Sequence, residues 1–190
     1  MARWEPNARL RLVQAAIDLF GEQGYDNTTV SQLAERAGLT KTTFFRHFPD
    51  KREVLFAGQE EHARLLTAGV ASAPATATPL EAVAAGLDAL TSSFTPEQRE
   101  FGPRLRSVVA GHAELRERSA FKELALAAAL TDALHQRGVP DPIACLAADL
   151  GVRAFHTAFT EWIAPANDQP LPALAQHRLT ELHRAATALS

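Results

Sequence analysis

A single glycine, Gly38, stands between two short segments that each carry the signals of a helix start. The first segment opens with Thr29-Val-Ser-Gln32, a capping box in which the hydroxyl and the amide side chain satisfy free backbone donors. Gly38 can adopt the positive φ of a tight turn, and Thr40 is a suitable cap for a second helix over Lys41–His47. Phe48-Pro49 ends that helix because proline disfavours helical geometry in the residue before it. The sequence therefore predicts two short helices joined by a turn.

Signals of further helices flank this pair on both sides. Before it, Gly21 and Gly24 offer left-handed stops for an amphipathic helix. The apolar residues of that helix recur at helical spacing and are Leu10, Val13, Ile17 and Phe20. After the pair, Asp50-Lys-Arg-Glu53 forms another capping box, which predicts a longer helix from Asp50 onward. Three helices followed by a longer one are expected in this part of the chain.

The remainder of the chain is rich in alanine and leucine, poor in β-branched residues and without strand-like alternation. Thr78-Pro-Leu-Glu81 and Thr95-Pro-Glu-Gln98 each combine a capping residue with proline at the first helical position. Three more helices are expected over about 115–136, 141–164 and 171–189. The sequence predicts an all-α fold of about nine helices.

Charge is distributed unevenly along the chain. The formal net charge is −3, but the segment from Arg36 to Arg52 contains five basic residues and one acid, Asp50, which gives +4. Positive charge concentrated on a short helical segment is suited to a phosphate backbone.

Several classes of protein are excluded by what the sequence lacks. No apolar run approaches the roughly 18 residues that span a bilayer, and no secretion signal opens the chain, so a cytoplasmic protein without membrane contact is expected. Cys145 is the lone cysteine and cannot form an internal disulfide or a thiolate metal site, so neither metal nor cofactor is expected. No His-Glu-x-x-His, Gly-x-Ser-x-Gly or phosphate-binding glycine loop is present, which argues against an enzyme.

The run from Thr28 to Leu55 joins a glycine turn, a helix that ends in His-Phe-Pro and a capped Asp-Lys-x-Glu. In this it closely resembles the DNA-binding signature of the TetR family of regulators, and the resemblance covers about residues 8–57. It implies a helix-turn-helix DNA-binding domain over 1–50 with three helices. It also implies a helical ligand-binding and dimerisation domain over 51–190, with a two-fold homodimer through the last two helices.

The second helix of a helix-turn-helix lies in the major groove, where residues near its start meet base edges. Lys41, Thr42 and Thr43 occupy that start, and base and phosphate contacts are equal alternatives for Lys41. Arg46 can make a charge-assisted phosphate contact, whereas Phe45 lacks the phenolic donor of the tyrosine that is common in the family. The predicted DNA-binding residues are Thr29, Ser31, Lys41, Thr42, Thr43, Phe45, Arg46, His47 and Lys51.

Some of these residues also have a purely structural interpretation. His47 can pack against its neighbours, and Lys51 with Arg52 can form an ordinary solvated surface. Phe44 and Phe48 are expected in the core of a small domain rather than on DNA.

A pocket for a small molecule is expected in the helical body, where aromatic residues alternate with a few polar ones. The candidate ligand-binding residues are Arg104, His112, Phe121, Phe155, His156, Phe159 and Trp162. Each of them can instead be a packed core residue. Arg104-Leu-Arg106 and Ala113–Arg118 with the following helix resemble the TetR regulators with acyl-CoA-like ligands, among them the mycofactocin regulator. That resemblance implies a long apolar ligand with its anionic end near Arg104 or Arg106.

The expected function is that of a ligand-responsive repressor, released from a palindromic DNA operator by a small apolar or amphipathic molecule. A two-fold dimer places two recognition helices about 34–36 Å apart, one turn of duplex. The apolar residues of the last two helices, some of which are expected to face a second copy, are Ile143, Leu146, Leu150, Leu171, Leu174, Leu179, Leu182 and Leu189. The alternative is a DNA-binding regulator or adaptor without small-ligand control.

Overall fold

A computed structural model of the chain describes residues 7–189. Within that range the chain forms nine α-helices, one 3-10 helix over Glu53–Phe56 and no strand. The α-helices are α1 Ala8–Gln23, α2 Val30–Arg36, α3 Lys41–His47, α4 Gln59–Ser72, α5 Pro79–Thr91, α6 Pro96–Gly111, α7 Ala113–Gln136, α8 Asp141–Trp162 and α9 Leu171–Thr187. The predicted all-α fold of about nine helices is confirmed. No helix in the described range is long and apolar enough to cross a bilayer.

The turn between α2 and α3 forms as its sequence predicts. The Thr29 hydroxyl accepts the N–H of Gln32 at 3.3 Å, and the Gln32 side chain accepts the N–H of Thr29 at 2.8 Å. The Thr40 hydroxyl accepts the N–H of Thr43 at 3.1 Å. Gly38 has a φ of 65°. These local hydrogen bonds determine where both helices begin.

The N-terminal helices differ in part from expectation. The predicted stop of α1 at Gly24 is confirmed, because the helix ends before this residue, whose φ is 87°, but α1 continues through Gly21 and Leu10 lies on its exposed side. The longer helix predicted from Asp50 does not form. One Asp50 oxygen accepts the N–H groups of Arg52 and Glu53, at 2.8 and 3.1 Å, but a single 3-10 turn follows. Gly58, with a φ of 96°, then redirects the chain, so that α4 begins at Gln59.

The described residues group into two compact units. One unit comprises the chain up to Gly58 together with Phe101–Ser119, and so includes most of α6 and the start of α7. Its core contains residues from both segments, among them Leu12, Ile17, Leu33, Phe44, Phe48, Val108 and Leu115. The division into functional domains at 1–50 and 51–190 stays a prediction. The packing shows that a later part of the chain completes the hydrophobic core of the three-helix head.

The other unit comprises Gln59–Glu100 and the chain from Ala120 onward. Helices α4 and α5 cross closely at Gly69 and Gly86, where no side chain separates their backbones. A Cβ atom on Gly69 would lie only 2.6 Å from the Gly86 Cα and from the Ala85 carbonyl oxygen. Its largest fully buried residues come from four helices and are Leu66, Leu87, Leu90, Leu130, Leu134 and Leu171. This unit is a helical bundle with a continuous apolar core.

Candidate nucleic-acid interface

Helix α3 has one face in the core and one in solvent. Phe44 and Phe48 are buried, as predicted, and their rings lie 5.8 Å apart between centroids. On the opposite face Thr42, Phe45 and Arg46 are exposed, and Phe45 retains half of its surface. No other element within residues 7–189 covers these side chains, so the outer face of α3 is available to a partner. A large apolar side chain exposed on so short a helix is typical of a binding surface.

The first turn of α3 supplies fewer free polar groups than its sequence suggests. The hydroxyls of Thr40 and Thr43 share a hydrogen bond of 2.9 Å, and Thr43 is half-buried. Lys41 and Thr42 are exposed, and the Lys41 ammonium lies 6.0 Å from the centroid of the Phe45 ring. Of the three residues predicted to meet base edges, Lys41 and Thr42 thus have the exposed positions.

The basic residues of the segment from Arg36 to Arg52 differ in their surroundings. Arg36 pairs with Glu22 at 2.7 Å, and its hydrogen bond holds the pKa of that carboxyl below its usual value. Arg52 pairs with Asp50 at 2.7 Å. Arg46 is exposed and makes no ion pair with the residues described between 7 and 189. Its charge, at the last turn of α3, is therefore available to a phosphate.

The remaining predicted contacts lie around α3. His47 is exposed at the end of that helix, and Thr29 and Ser31 are exposed at the start of α2. Lys51 is half-buried, and its ammonium donates to the carbonyl oxygens of Tyr25, at 2.8 Å, and Thr28, at 3.3 Å. An ammonium has three N–H donors, so one remains for another acceptor.

Two arginines of α1 extend this surface and are missing from the predicted set. The guanidinium of Arg9 lies 5.3 Å from the centroid of the Phe48 ring. Arg11 donates to the carbonyl oxygens of Ala37 and, at 3.5 Å, of Gly38. A Cβ atom on Gly38 would lie 2.6 Å from that guanidinium, which is the flexible end of a side chain and can move, so the φ of 65° is what favours glycine at this turn. The signal available in the sequence was the pair of positive charges at spacing two in the first turn of α1.

The segment that contains this surface matches a known family. The family model described as bacterial regulatory proteins, tetR family, matches residues 12–57. The transcriptional regulator TcmR of Streptomyces glaucescens is 37% identical over 82 residues, which are 43% of this chain and 36% of that protein. Residues 12–57 therefore match the DNA-binding segment of the TetR family. The predicted resemblance is thereby confirmed.

Another transcriptional regulator matches a segment of similar length. The transcriptional activator FasR of Mycolicibacterium smegmatis is 34% identical over 70 residues, 37% of this chain and 32% of FasR. The chain thus matches about a third of the length of TcmR and FasR.

Solved structures extend the similarity of fold to nearly the whole chain. GusR of Salmonella enterica superposes with a TM-score of 0.58 at 16% identity, over 96% of this chain and 98% of GusR. FadR of Bacillus subtilis, crystallised with stearoyl-CoA, superposes with a TM-score of 0.57 at 19% identity, over 91% of this chain and 96% of FadR. These similarities establish a TetR-like fold for the helical body as well as for the head.

The structure brings several of the candidate ligand-binding residues together in the helical bundle. Phe155, Phe159 and Trp162 of α8 surround Phe94, with ring centroids 5.8, 5.7 and 5.9 Å from it. Phe94 was missed by the sequence reasoning, because it lies directly before the capping box of α6 and not on a helical face. We call these four residues the aromatic cluster.

A histidine stands at each side of the aromatic cluster. The His62 ring lies 5.1 Å from Phe94, and the His156 ring lies 5.5 Å from Phe155. Burial lowers the pKa of both histidines, and for His156 the carboxylate of Glu123, 3.8 Å away, opposes that effect. Both imidazoles are consequently neutral near pH 7 and can donate or accept hydrogen bonds.

Other candidates lie elsewhere. Arg104 and His112 belong to the unit that contains the head. The Arg104 guanidinium is exposed, 3.5 Å from the Asp18 carboxylate, and His112 Nδ1 lies 2.9 Å from the Val108 carbonyl oxygen. Phe121 belongs to the bundle but is exposed. No group of three or more His, Cys, Asp or Glu side chains in the described range has the geometry of a metal site.

Proposed function

We propose that this chain is a DNA-binding transcriptional regulator that inserts α3 into the major groove. The observation that carries the proposal is the two-sided character of α3, which buries Phe44 and presents Lys41, Thr42 and Arg46 outward. A recognition helix needs this arrangement because its inner side must hold it rigidly while its outer side meets base edges and phosphates.

The division of labour follows from side-chain chemistry. Lys41 and Thr42, at the start of α3, would contact base edges, whereas Arg46 and His47 at its end would contact phosphates. Ser31, exposed at the start of α2, would donate to a phosphate oxygen of the DNA backbone. Thr29, whose N–H and hydroxyl both donate to the Gln32 side chain, would support this contact by capping the helix.

Titration of a labelled duplex at several salt concentrations tests this assignment. Arg46→Ala is expected to weaken binding to operator and to random DNA alike and to reduce the slope of log affinity against log salt by about one. Arg64→Ala is the matched control, because it removes one positive charge from α4, where Arg64 pairs with Glu61. An Arg46→Ala slope equal to that of the wild type contradicts the assignment. Wild-type protein that is folded and prefers no duplex sequence at low salt contradicts the proposed function.

We propose a two-fold dimer through α8 and α9, which calls for a palindromic operator. Ile143 and Leu146 of α8 are more than half exposed. They border a groove of about 490 Å³ between α8, α9 and the start of α5, lined also by Leu80, Leu150 and Leu179. Large apolar side chains along an open groove are a suitable surface for association with a second copy.

We further propose that a small apolar or amphipathic molecule controls DNA binding, by release from the operator. The support is the aromatic cluster with its neutral histidines, together with a fold shared with FadR, whose crystal structure contains stearoyl-CoA. Repression is proposed because the similar proteins include the repressor AcnR of Corynebacterium glutamicum and a tetracycline repressor of Escherichia coli.

Thermal unfolding in the presence of stearoyl-CoA, shorter acyl-CoA thioesters and neutral aromatic compounds tests ligand control. A ligand present at a free concentration of 100 times its dissociation constant stabilises the folded state by about 2.7 kcal/mol. Stabilisation of this size raises the melting temperature by several degrees. A compound that raises it should also release the operator. If none of the panel shifts the melting temperature while DNA binding is intact, the alternative of a regulator without small-ligand control replaces this part of the proposal.

A further inference from the structure

Lys51 holds a place in the structure that its predicted contact with DNA does not explain. We propose that Lys51 is a positioning residue, whose ammonium fixes the loop between α1 and α2, residues 24–29, in the conformation from which α2 starts. The inference rests on the proposed DNA binding for its significance, because α2 supports α3. The contacts that carry it lie within the unit that contains the head.

The Lys51 ammonium is bound on three sides by this loop. It donates to the Tyr25 carbonyl oxygen at 2.8 Å and to the Thr28 carbonyl oxygen at 3.3 Å. It also lies 4.0 Å from the centroid of the Tyr25 ring, within the range of a cation–π interaction. Two hydrogen bonds and a ring contact on one ammonium specify its position closely. A lysine whose only role is to bind a DNA phosphate would need no such partners within the protein.

The loop is ordered by hydrogen bonds that depend on its backbone conformation. The Thr28 side chain is buried and donates to the Gly24 carbonyl oxygen at 2.8 Å. The Gln23 amide donates to the Asn27 carbonyl oxygen at 3.2 Å. Thr29, the cap of α2, follows directly, so the direction in which α2 leaves depends on this loop.

Removal of the ammonium would leave the Thr28 carbonyl without its charged donor. A part-buried backbone group that loses its partner destabilises the local conformation, and hydrogen bonds to charged groups are the stronger ones. The loop would then open more often in the folded protein. Such an opening is local and can be measured by amide hydrogen exchange.

Tyr25 connects the loop between α1 and α2 to the junction between α6 and α7. Its side chain is buried, and its ring lies 5.1 Å from the His112 ring. Burial, and then the nearby Glu114 carboxylate, raise the pKa of Tyr25. The phenol therefore stays protonated, and burial among these residues holds the ring that contacts Lys51.

Hydrogen exchange of the free protein tests the positioning role without DNA. In Lys51→Met, the amides of residues 25–33 are expected to exchange about 5- to 30-fold faster, the factor that corresponds to 1–2 kcal/mol. Arg52→Met is the matched control, because Arg52 is the adjacent basic residue and pairs with Asp50 at the surface. Tyr25→Phe, which retains the ring and loses only the phenol, is expected to raise exchange in the same residues by a smaller factor. Unchanged exchange in Lys51→Met overturns the proposal.

Salt titration of DNA binding separates positioning from phosphate contact. Lys51→Met is expected to weaken binding with a salt slope equal to that of the wild type, in contrast to Arg46→Ala. A slope reduced by about one, with exchange of residues 25–33 as in the wild type, would make Lys51 a phosphate contact and overturn the proposal. Wild-type protein without DNA preference would contradict the proposed function alone, because the exchange experiment would still decide the role of Lys51.

Discussion

The two Nη atoms of Arg36 donate to the two carboxylate oxygens of Glu22, at 2.9 and 2.7 Å. This bidentate pair joins α2 to the end of α1 at the protein surface. Because both charges are held together, Arg36 contributes less to the field around α3 than the local count of basic residues suggests.

Arg36→Ala is therefore expected to leave the salt slope of DNA binding within error of the wild-type value, unlike Arg46→Ala. The reason is that counterion release follows the charges that meet phosphates, and the charge of Arg36 is already compensated. Fluorescence anisotropy with one duplex at several salt concentrations measures the slope. The converse variant, Glu22→Gln, frees the guanidinium and should increase the affinity for random DNA. A slope that falls as much in Arg36→Ala as in Arg46→Ala would show that Arg36 leaves Glu22 to bind DNA.

Gly69→Ala is expected to reduce the free energy of unfolding by about 1–3 kcal/mol, because a new Cβ atom must displace packed backbone. That atom would lie 2.6 Å from the Ala85 carbonyl oxygen and 2.9 Å from the Ala89 Cβ. Urea denaturation measures the change. Gly21→Ala is the control, since a Cβ atom there meets nothing within 4 Å, and alanine in a helix interior should stabilise by about 0.5–1 kcal/mol. Equal stability of the two variants would contradict the close crossing of α4 and α5.

His62 should make the protein less stable in mild acid. Burial lowers the pKa of His62, and the Glu61 carboxylate only partly offsets this. His62 therefore binds a proton less readily in the folded state than in the unfolded state, where the pKa of a histidine is 6.5. The free energy of unfolding consequently declines as the pH falls below about 6.5. The loss in unfolding free energy between about pH 7.5 and 5.5 should be smaller in His62→Gln. An equal loss in His62→Gln would show that this imidazole titrates alike in both states.

Leu146→Glu should convert the protein to a monomer in sedimentation velocity, because it places a charge on the border of the apolar groove proposed as the dimer contact. Leu124→Glu is the matched control, since Leu124 is a still more exposed leucine on α7. If Leu124→Glu dissociates the dimer and Leu146→Glu does not, the contact lies on α7 and the assignment to α8 and α9 is wrong.

Local signals in the sequence predicted the head well. The capping boxes at Thr29 and Thr78 and the turn at Gly38 depend on hydrogen bonds and backbone angles within four residues, which the sequence states directly. The family itself followed from the same short segment. The interruption before α4 was missed because Asp50 does make the expected capping hydrogen bonds. The helix then stops after one 3-10 turn, and Gly58 redirects the chain.

Contacts between residues that lie far apart in the sequence could not be predicted from local sequence signals. Nothing in the sequence indicates that Phe101–Ser119 completes the core of the head, because that depends on tertiary packing. Lys51 and Tyr25 are 26 residues apart, so the basic side chain of Lys51 suggested a contact with DNA and not with a backbone carbonyl. Arg104 could not be assigned to a unit from its sequence neighbours, and its ion pair with Asp18 spans 86 residues.

The bond between the hydroxyls of Thr40 and Thr43 limits which DNA sequences the proposed interface can recognise. With Thr43 engaged in its own helix, α3 has few polar side chains left to distinguish one base pair from another. Each half-site should accordingly be short and low in information content. A genome offers millions of competing sites, so a unique address would have to come from two half-sites at fixed spacing and from the bendability of the base pairs between them.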